Sequence, residues 1–134
     1  MKRYLKKMIT CMMVMVMVVT MTGAVNAGNA IIGGEYEGFY YNGQLRLTTT
    51  WAGASMAITP QDGAAVIPEE NYFPNIRGSV VDEDGAHLYT IITGDVASAS
   101  CNWGKDVTGD GATKAIAKFF MKYHQVAQEE VMVN

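Results

Sequence analysis

The sequence predicts a mainly β domain: an antiparallel sandwich or curled sheet of about six short strands, followed by a C-terminal amphipathic helix. Three observations lead there. Residues alternate with period two through 45–51, the repeat of a half-buried strand. Asn42-Gly43 and Asp82-Glu83-Asp84-Gly85 lie between strand-like runs, where short hairpin turns call for residues that accept positive φ. In 112–130 the period changes, and apolar residues recur at about 100° per residue.

The N-terminal segment stands apart from that domain. Lys2, Arg3, Lys6 and Lys7 precede an uncharged tract, Met8 to Val19, interrupted only by Thr10 and Cys11. A basic segment, a short apolar segment and then small residues is the order of a cleavable secretory signal peptide, and Val25-Asn26-Ala27 supplies the small residues. A membrane anchor requires about 20 predominantly apolar residues. Met8–Ala24 is shorter, and Asn26, Gly28 and Asn29 follow at once. Cys11 lies inside the apolar tract rather than after it, which is the wrong place for a lipidated cysteine. Residues 1–27 are therefore expected to be a signal peptide removed near Ala27/Gly28, and 28–134 a single β-rich secreted domain.

Composition narrows what that domain does. Removing 27 of 134 residues leaves 107, enough for one hydrophobic core and too few for two. Four of the ten basic residues leave with the signal peptide, so six remain against thirteen acidic ones, a net charge of −7. Nucleic acid is excluded as a partner, because phosphate binding requires a basic surface. Of the two cysteines only Cys101 remains, so the domain has no internal disulfide and relies on packing.

Taken in order, Tyr36–Tyr41 and Gln44–Trp51 read as the arms of a hairpin turning at Asn42-Gly43. In the second arm Leu45, Leu47, Thr49 and Trp51 share one face. Ala52-Gly53 is expected to turn the chain into a strand over Ala54–Thr59, which Pro60-Gln61-Asp62-Gly63 ends. Pro68–Pro74 reads as a loop carrying Tyr72 and Phe73. Asn75–Val81 and Ala86–Ile92 form a second hairpin around Asp82–Gly85. In Val96–Trp103, Ala97, Ala99, Cys101 and Trp103 alternate with Ser98, Ser100 and Asn102, so Cys101 is expected to be a small buried hydrophobe. Finally, Ile116, Phe119, Phe120, Tyr123, Val126 and Ala127 fall on one side of a helical wheel. Lys114, Lys118, Lys122, Gln125 and Glu129 fall on the other, and Asp110 or Thr113 is placed to cap the helix. The rival is a long strand and an all-β domain, since Ala115, Ala117, Phe119, Met121 and Tyr123 also alternate. Helix-forming Ala, Lys, Met, Gln and Glu favour the helix.

Few patterns carry chemistry. Asp106-Val107-Thr108-Gly109-Asp110-Gly111 resembles the first half of a calcium loop of the EF-hand or dockerin type. The resemblance makes Asp106, Thr108 and Asp110 the candidate calcium ligands, and it stops there, because the closing twelfth position is Ala117. The bland reading is an Asp/Gly turn that needs no metal. His87 and His124 show no ligand spacing, and no phosphate loop, nucleophile elbow or zinc motif is present. Consecutive Phe39-Tyr40-Tyr41 must place a ring on each face of a strand, so Tyr40, Tyr41, Tyr72 and Phe73 are the candidate ligand or partner contacts.

The functional expectation is a small secreted, non-enzymatic binding or interaction protein with an extracellular protein or glycan as partner. It carries no cofactor unless the calcium loop is real, and it meets a membrane only through its signal peptide. The alternative is a secreted bacteriocin-like or toxin-like effector that acts on membranes through the C-terminal amphipathic helix.

Overall fold

The computed structural model describes residues 28–63, 72–94, 98–121 and 123–133. The expected signal peptide, Ala97 and most of the 68–74 loop lie outside the described residues. Among the described residues eight strands form two antiparallel sheets: β1 (Gly28–Tyr36), β2 (Phe39–Leu47), β3 (Trp51–Pro60), β4 (Pro74–Asp82), β5 (His87–Ile92), β6 (Ser100–Asp106), β7 (Ala112–Met121) and β8 (His124–Met132). The first sheet has the order β1-β2-β3-β6 and the second β5-β4-β7-β8. The chain passes from the first sheet to the second after β3, returns for β6 beside β3, and crosses again to β7. The mainly β class holds, and the all-β alternative describes the domain better than the one with a helix.

Alternation explains the core. Ile32, Leu45, Leu47, Ala52, Ala54, Met56 and Ile58 from the first sheet are buried with Ile76, Val80, Ile91, Ala115, Ala117, Phe119, Met121 and Val131 from the second. Each set comes from alternate positions, so one face of each sheet is dry and the other mostly faces water, with Asn75 buried on the outer side of β4. Cys101 and Trp103 of β6, with Ala99 just before it, pack at the margin of this core, on the face expected for them. Cys101 is half-buried beside Met56, and burial pushes its thiol pKa up against a smaller lowering by a hydrogen bond with Thr93.

The C-terminal helix is replaced by a hairpin. β7 pairs with β4 along its length and with β8 on its other side, from Lys114↔Met132 to Met121↔His124. The alternation of Ala115, Ala117, Phe119 and Met121 governs, because all four are almost fully buried between the sheets. Helix propensity is worth at most about 0.7 kcal/mol per ordinary residue, whereas burying one large apolar side chain contributes about 1.5–3 kcal/mol. Tertiary burial therefore outweighs the local preference.

Two turns also fall elsewhere than expected. The first hairpin turns at Glu37-Gly38, with φ of 44° and 86°, and pairs Tyr36 with Phe39. Positive φ at both positions is the signature of a two-residue primed turn. Asn42-Gly43 instead lies inside β2. There Gly43 is buried, and an added Cβ would stand 2.6 Å from the Ser55 carbonyl oxygen and 3.0 Å from the Ile32 side chain. Its missing side chain serves close packing. The next turn occupies Thr48–Thr50 rather than Ala52-Gly53: the Thr48 N–H donates to the Trp51 carbonyl at 2.8 Å, and the Thr48 hydroxyl accepts the Trp51 N–H at 2.9 Å. The β4–β5 hairpin and the Pro60–Gly63 turn stand where expected, with Gly85 at φ 83° and Gly63 at φ 78°.

Candidate functional site

The candidate calcium loop forms the connection from β6 to β7. Asp106 ends β6 on the outer face of the first sheet, and its carboxylate accepts the Thr108 N–H at 2.8 Å. Hydrogen bonds from the Thr108 side chain and backbone hold the Asp106 carboxyl below its usual range. The Asp110 N–H donates to the Val107 carbonyl at 3.0 Å, and the Asp110 carboxylate accepts the Tyr89 hydroxyl across the sandwich edge. That bond raises the Tyr89 phenol above its ordinary value, while the Lys105 ammonium lies 5.1 Å from the Tyr89 ring centroid. The turn thus ties β6 to β5 with its own side chains. Among the described residues no three His, Cys, Asp or Glu side chains are grouped to hold a metal. Asp82 is likewise engaged in its own turn, accepting the Asp84 and Ala86 N–H groups at 2.9 Å each.

The aromatic candidates are dispersed. Tyr41 and Tyr72 both pack against the core. The Tyr41 hydroxyl donates to the Val126 carbonyl at 3.3 Å. Tyr72 lies 4.8 Å from Phe39 between ring centroids and donates to Glu37 at 3.0 Å. Phe73 is half-buried just before β4. Tyr40 alone of the four is on the outer face of the first sheet, in register with Glu35 and Thr59. The histidines are separate: His87 contacts the Thr90 hydroxyl at 3.1 Å, and His124 stacks on Tyr36 with centroids 4.1 Å apart.

The structure assembles a different site, around Trp51. Because the Thr48 turn intervenes, Trp51 opens β3 on the outer face, opposite to Leu45 and Leu47. Its indole lies across the paired glycines Gly53 and Gly104. An added Cβ on Gly53 would stand 2.9 Å from the indole Nε1, and one on Gly104 only 2.3 Å from Cζ2. Two residues without side chains form the seat on which the ring lies down. Trp51 is nevertheless 46% exposed, as expected of a ring with one side on the backbone and the other in water.

Polar side chains surround the ring. Gln44 and Arg46 from β2, Ser55 from β3 and Asn102 from β6 line, with Trp51 and Gly53, an open depression of about 230 Å³. Register explains their convergence, since Gln44↔Ser55↔Asn102 and Arg46↔Gly53↔Gly104 are two adjacent rows across three strands. The Gln44 amide donates to Asn29 Oδ1 on β1 at 2.7 Å, which orients it. A larger depression, about 540 Å³, lies between the β4–β5 turn and the end of the β7–β8 pair. Two of its polar side chains are engaged within the fold, Asp82 closing its turn and Lys114 pairing with Glu130 at 3.4 Å, and among the described residues no aromatic ring lines it. The Trp51 depression combines an open aromatic surface with hydrogen-bonding groups aimed outward, and it is the better candidate for recognition.

Sequence reasoning missed this site because Trp51 continues the alternation of Leu45 and Leu47, which assigns it to the core. The available signal was Gly53 and Gly104, two glycines in strand-like segments, which mark a close approach of something to the sheet. Comparison with protein-family models, curated proteins and solved structures finds no match to the chain.

Proposed function

We propose that this is an exported, non-enzymatic binding protein that acts outside the cell or at its surface, and that its recognition face is the outer side of the first sheet. The observation that carries the reading is the open indole of Trp51, seated on Gly53 and Gly104 among Gln44, Arg46, Ser55 and Asn102. Tryptophan and arginine are the residues over-represented at binding hot spots. The ring covers Gly53 and Gly104, an aromatic cover that also stabilises strand glycines, and it leaves its other side to solvent. The order of residues 1–27, a basic segment, a short apolar segment and then small residues, supports export. The membrane-effector reading loses its basis, since 112–130 forms β7 and β8 with their inward side chains in the core.

A blocking experiment tests the face. In a Cys101→Ala background, Ser55→Cys and Gln128→Cys place a bulky maleimide label on the outer faces of the first and second sheets respectively. Retention of the protein on envelope and extracellular material of the producing cell should be abolished by the Ser55 label and kept with the Gln128 label. Equal effects of the two labels, or no retention on either fraction, would refute the reading.

A further inference from the structure

We infer that the ligand of the Trp51 face is a neutral glycan, with a pyranose ring stacked on the indole; this rests on the binding reading above and specifies its ligand class. Four features of the face point to it.

The first is the orientation of the indole. Lying on Gly53 and Gly104, it presents its flat side to solvent. A pyranose carries its axial C–H bonds on one flank, an apolar flat surface that matches the negative face of an aromatic ring. A protein hot spot is instead an anchor that fills a pocket in its partner. An indole pressed onto the sheet has no projecting body to insert.

The second is the kind of polar group around it. Gln44, Arg46, Ser55 and Asn102 present two amides, a guanidinium fork and a hydroxyl. These groups supply donors and acceptors together, as sugar hydroxyls demand, since each is both donor and acceptor. The Asn29–Gln44 bond holds one amide in place before any ligand arrives, lowering the ordering cost of binding.

Charge is the third feature. Among the described residues Arg46 is the one cation lining the depression, and Asp106, paired in register with Trp51, is an anion on the same outer face. That near-balance, in a domain with a net charge of −7 once residues 1–27 are set aside, disfavours a polyanion.

The fourth is continuity. Beyond the indole the outer face of β3 continues through Ser55, Ala57 and Thr59, and β6 contributes Asn102 and Ser100 alongside. This floor of small side chains ends at Tyr40, a second ring on the same face. Gly53 to Thr59 spans about 20 Å at roughly 3.3 Å per residue. The depression, at about 230 Å³, is smaller than the roughly 300–1,000 Å³ of enclosed small-molecule pockets. A small open depression at Trp51, continued by a row of small side chains in register toward Tyr40, suits an oligosaccharide laid along the sheet better than a compact metabolite.

The test uses the full chain, with Trp51→Phe as the reference that separates the emission of Trp51 from that of Trp103, which also borders the depression. The fluorescence of both proteins is titrated with cellohexaose, xylohexaose and chitohexaose, three neutral hexasaccharides, and with heparin as the polyanionic arm. At least one neutral hexasaccharide should change Trp51 emission and bind saturably. By calorimetry, Trp51→Ala should weaken that binding at least about tenfold, the scale of one hot-spot contact. Trp51→Phe should restore part of it, and unchanged near-ultraviolet circular dichroism would show that Trp51→Ala still folds. Binding of heparin alone would overturn the neutral-glycan inference. So would failure of all three hexasaccharides while the Ser55 label still abolishes retention, an outcome that leaves the binding face standing. Saccharide binding indifferent to Trp51→Ala would overturn the site itself.

Discussion

Two adjacent phenylalanines provide the sharpest test of the β7–β8 hairpin. On a helix, Phe119 and Phe120 fall on the same apolar side and both contribute to packing. In the sandwich they point to opposite faces. Phe119 is completely buried, whereas Phe120 is partly buried on the outer face, beside Asn75 and Gln125. Truncating a fully buried phenylalanine to alanine costs about 3–5 kcal/mol, transfer and cavity together. Phe120 lies on the outer face, where truncation leaves no enclosed cavity, and it loses only part of the roughly 1.5–3 kcal/mol of full burial, so Phe120→Ala should cost about 1 kcal/mol. For a domain of this size each kcal/mol lowers Tm by about 4–8 °C. Phe119→Ala should therefore melt at least about 12 °C below the parent, and Phe120→Ala about 4–8 °C below it. Urea titration followed by far-ultraviolet circular dichroism measures both, with a β-type spectrum throughout and a common denaturant slope. Equal destabilisation by the two substitutions, or a helical spectrum, would refute the hairpin.

Other outcomes follow from particular residues. Glu37 holds a positive φ that costs an ordinary L-residue about 1–2 kcal/mol, so Glu37→Asn should raise Tm by about 2–4 °C even with the exposed Tyr72 hydrogen bond lost; a fall in Tm would show that the bond outweighs the strain. Cys101 titrates above a free thiol because burial disfavours its thiolate. Its contribution to stability is whole below about pH 8.5, the unfolded value, and is lost as pH rises through the higher folded value. Cys101→Ser should accordingly flatten the alkaline decline in stability, and iodoacetamide should modify Cys101 of the native protein at pH 8 much more slowly than of the urea-unfolded protein. Mass spectrometry of the exported protein should show a chain beginning at Gly28; an intact N-terminus beginning at Met1 would rule out cleavage.

What the sequence determined by itself was the assignment of faces by alternation within single strands, although no strand was expected over 28–35. The inward set of β3, Ala54, Met56 and Ile58, the β4–β5 hairpin and the inward side of Ala99, Cys101 and Trp103 were all legible, because a period of two assigns faces without reference to any other strand. Three things were decided only by the tertiary structure. Asn42-Gly43 is good turn chemistry, yet the turn formed at Glu37-Gly38, because that lets β2 run nine residues between β1 and β3 with Gly43 packed under Ile32. Residues 112–130 satisfied two periods at once, and the second sheet selected the strand by burying Ala115, Ala117, Phe119 and Met121. Trp51 was placed on the wrong side for the same kind of reason. A turn at Thr48–Thr50 resets the phase of alternation, and the partners that make Trp51 a recognition surface, Gly104 and Asn102, stand about fifty residues away on β6. Local periodicity tells which side chains share a face; only the pairing of distant strands tells what that face is built to meet.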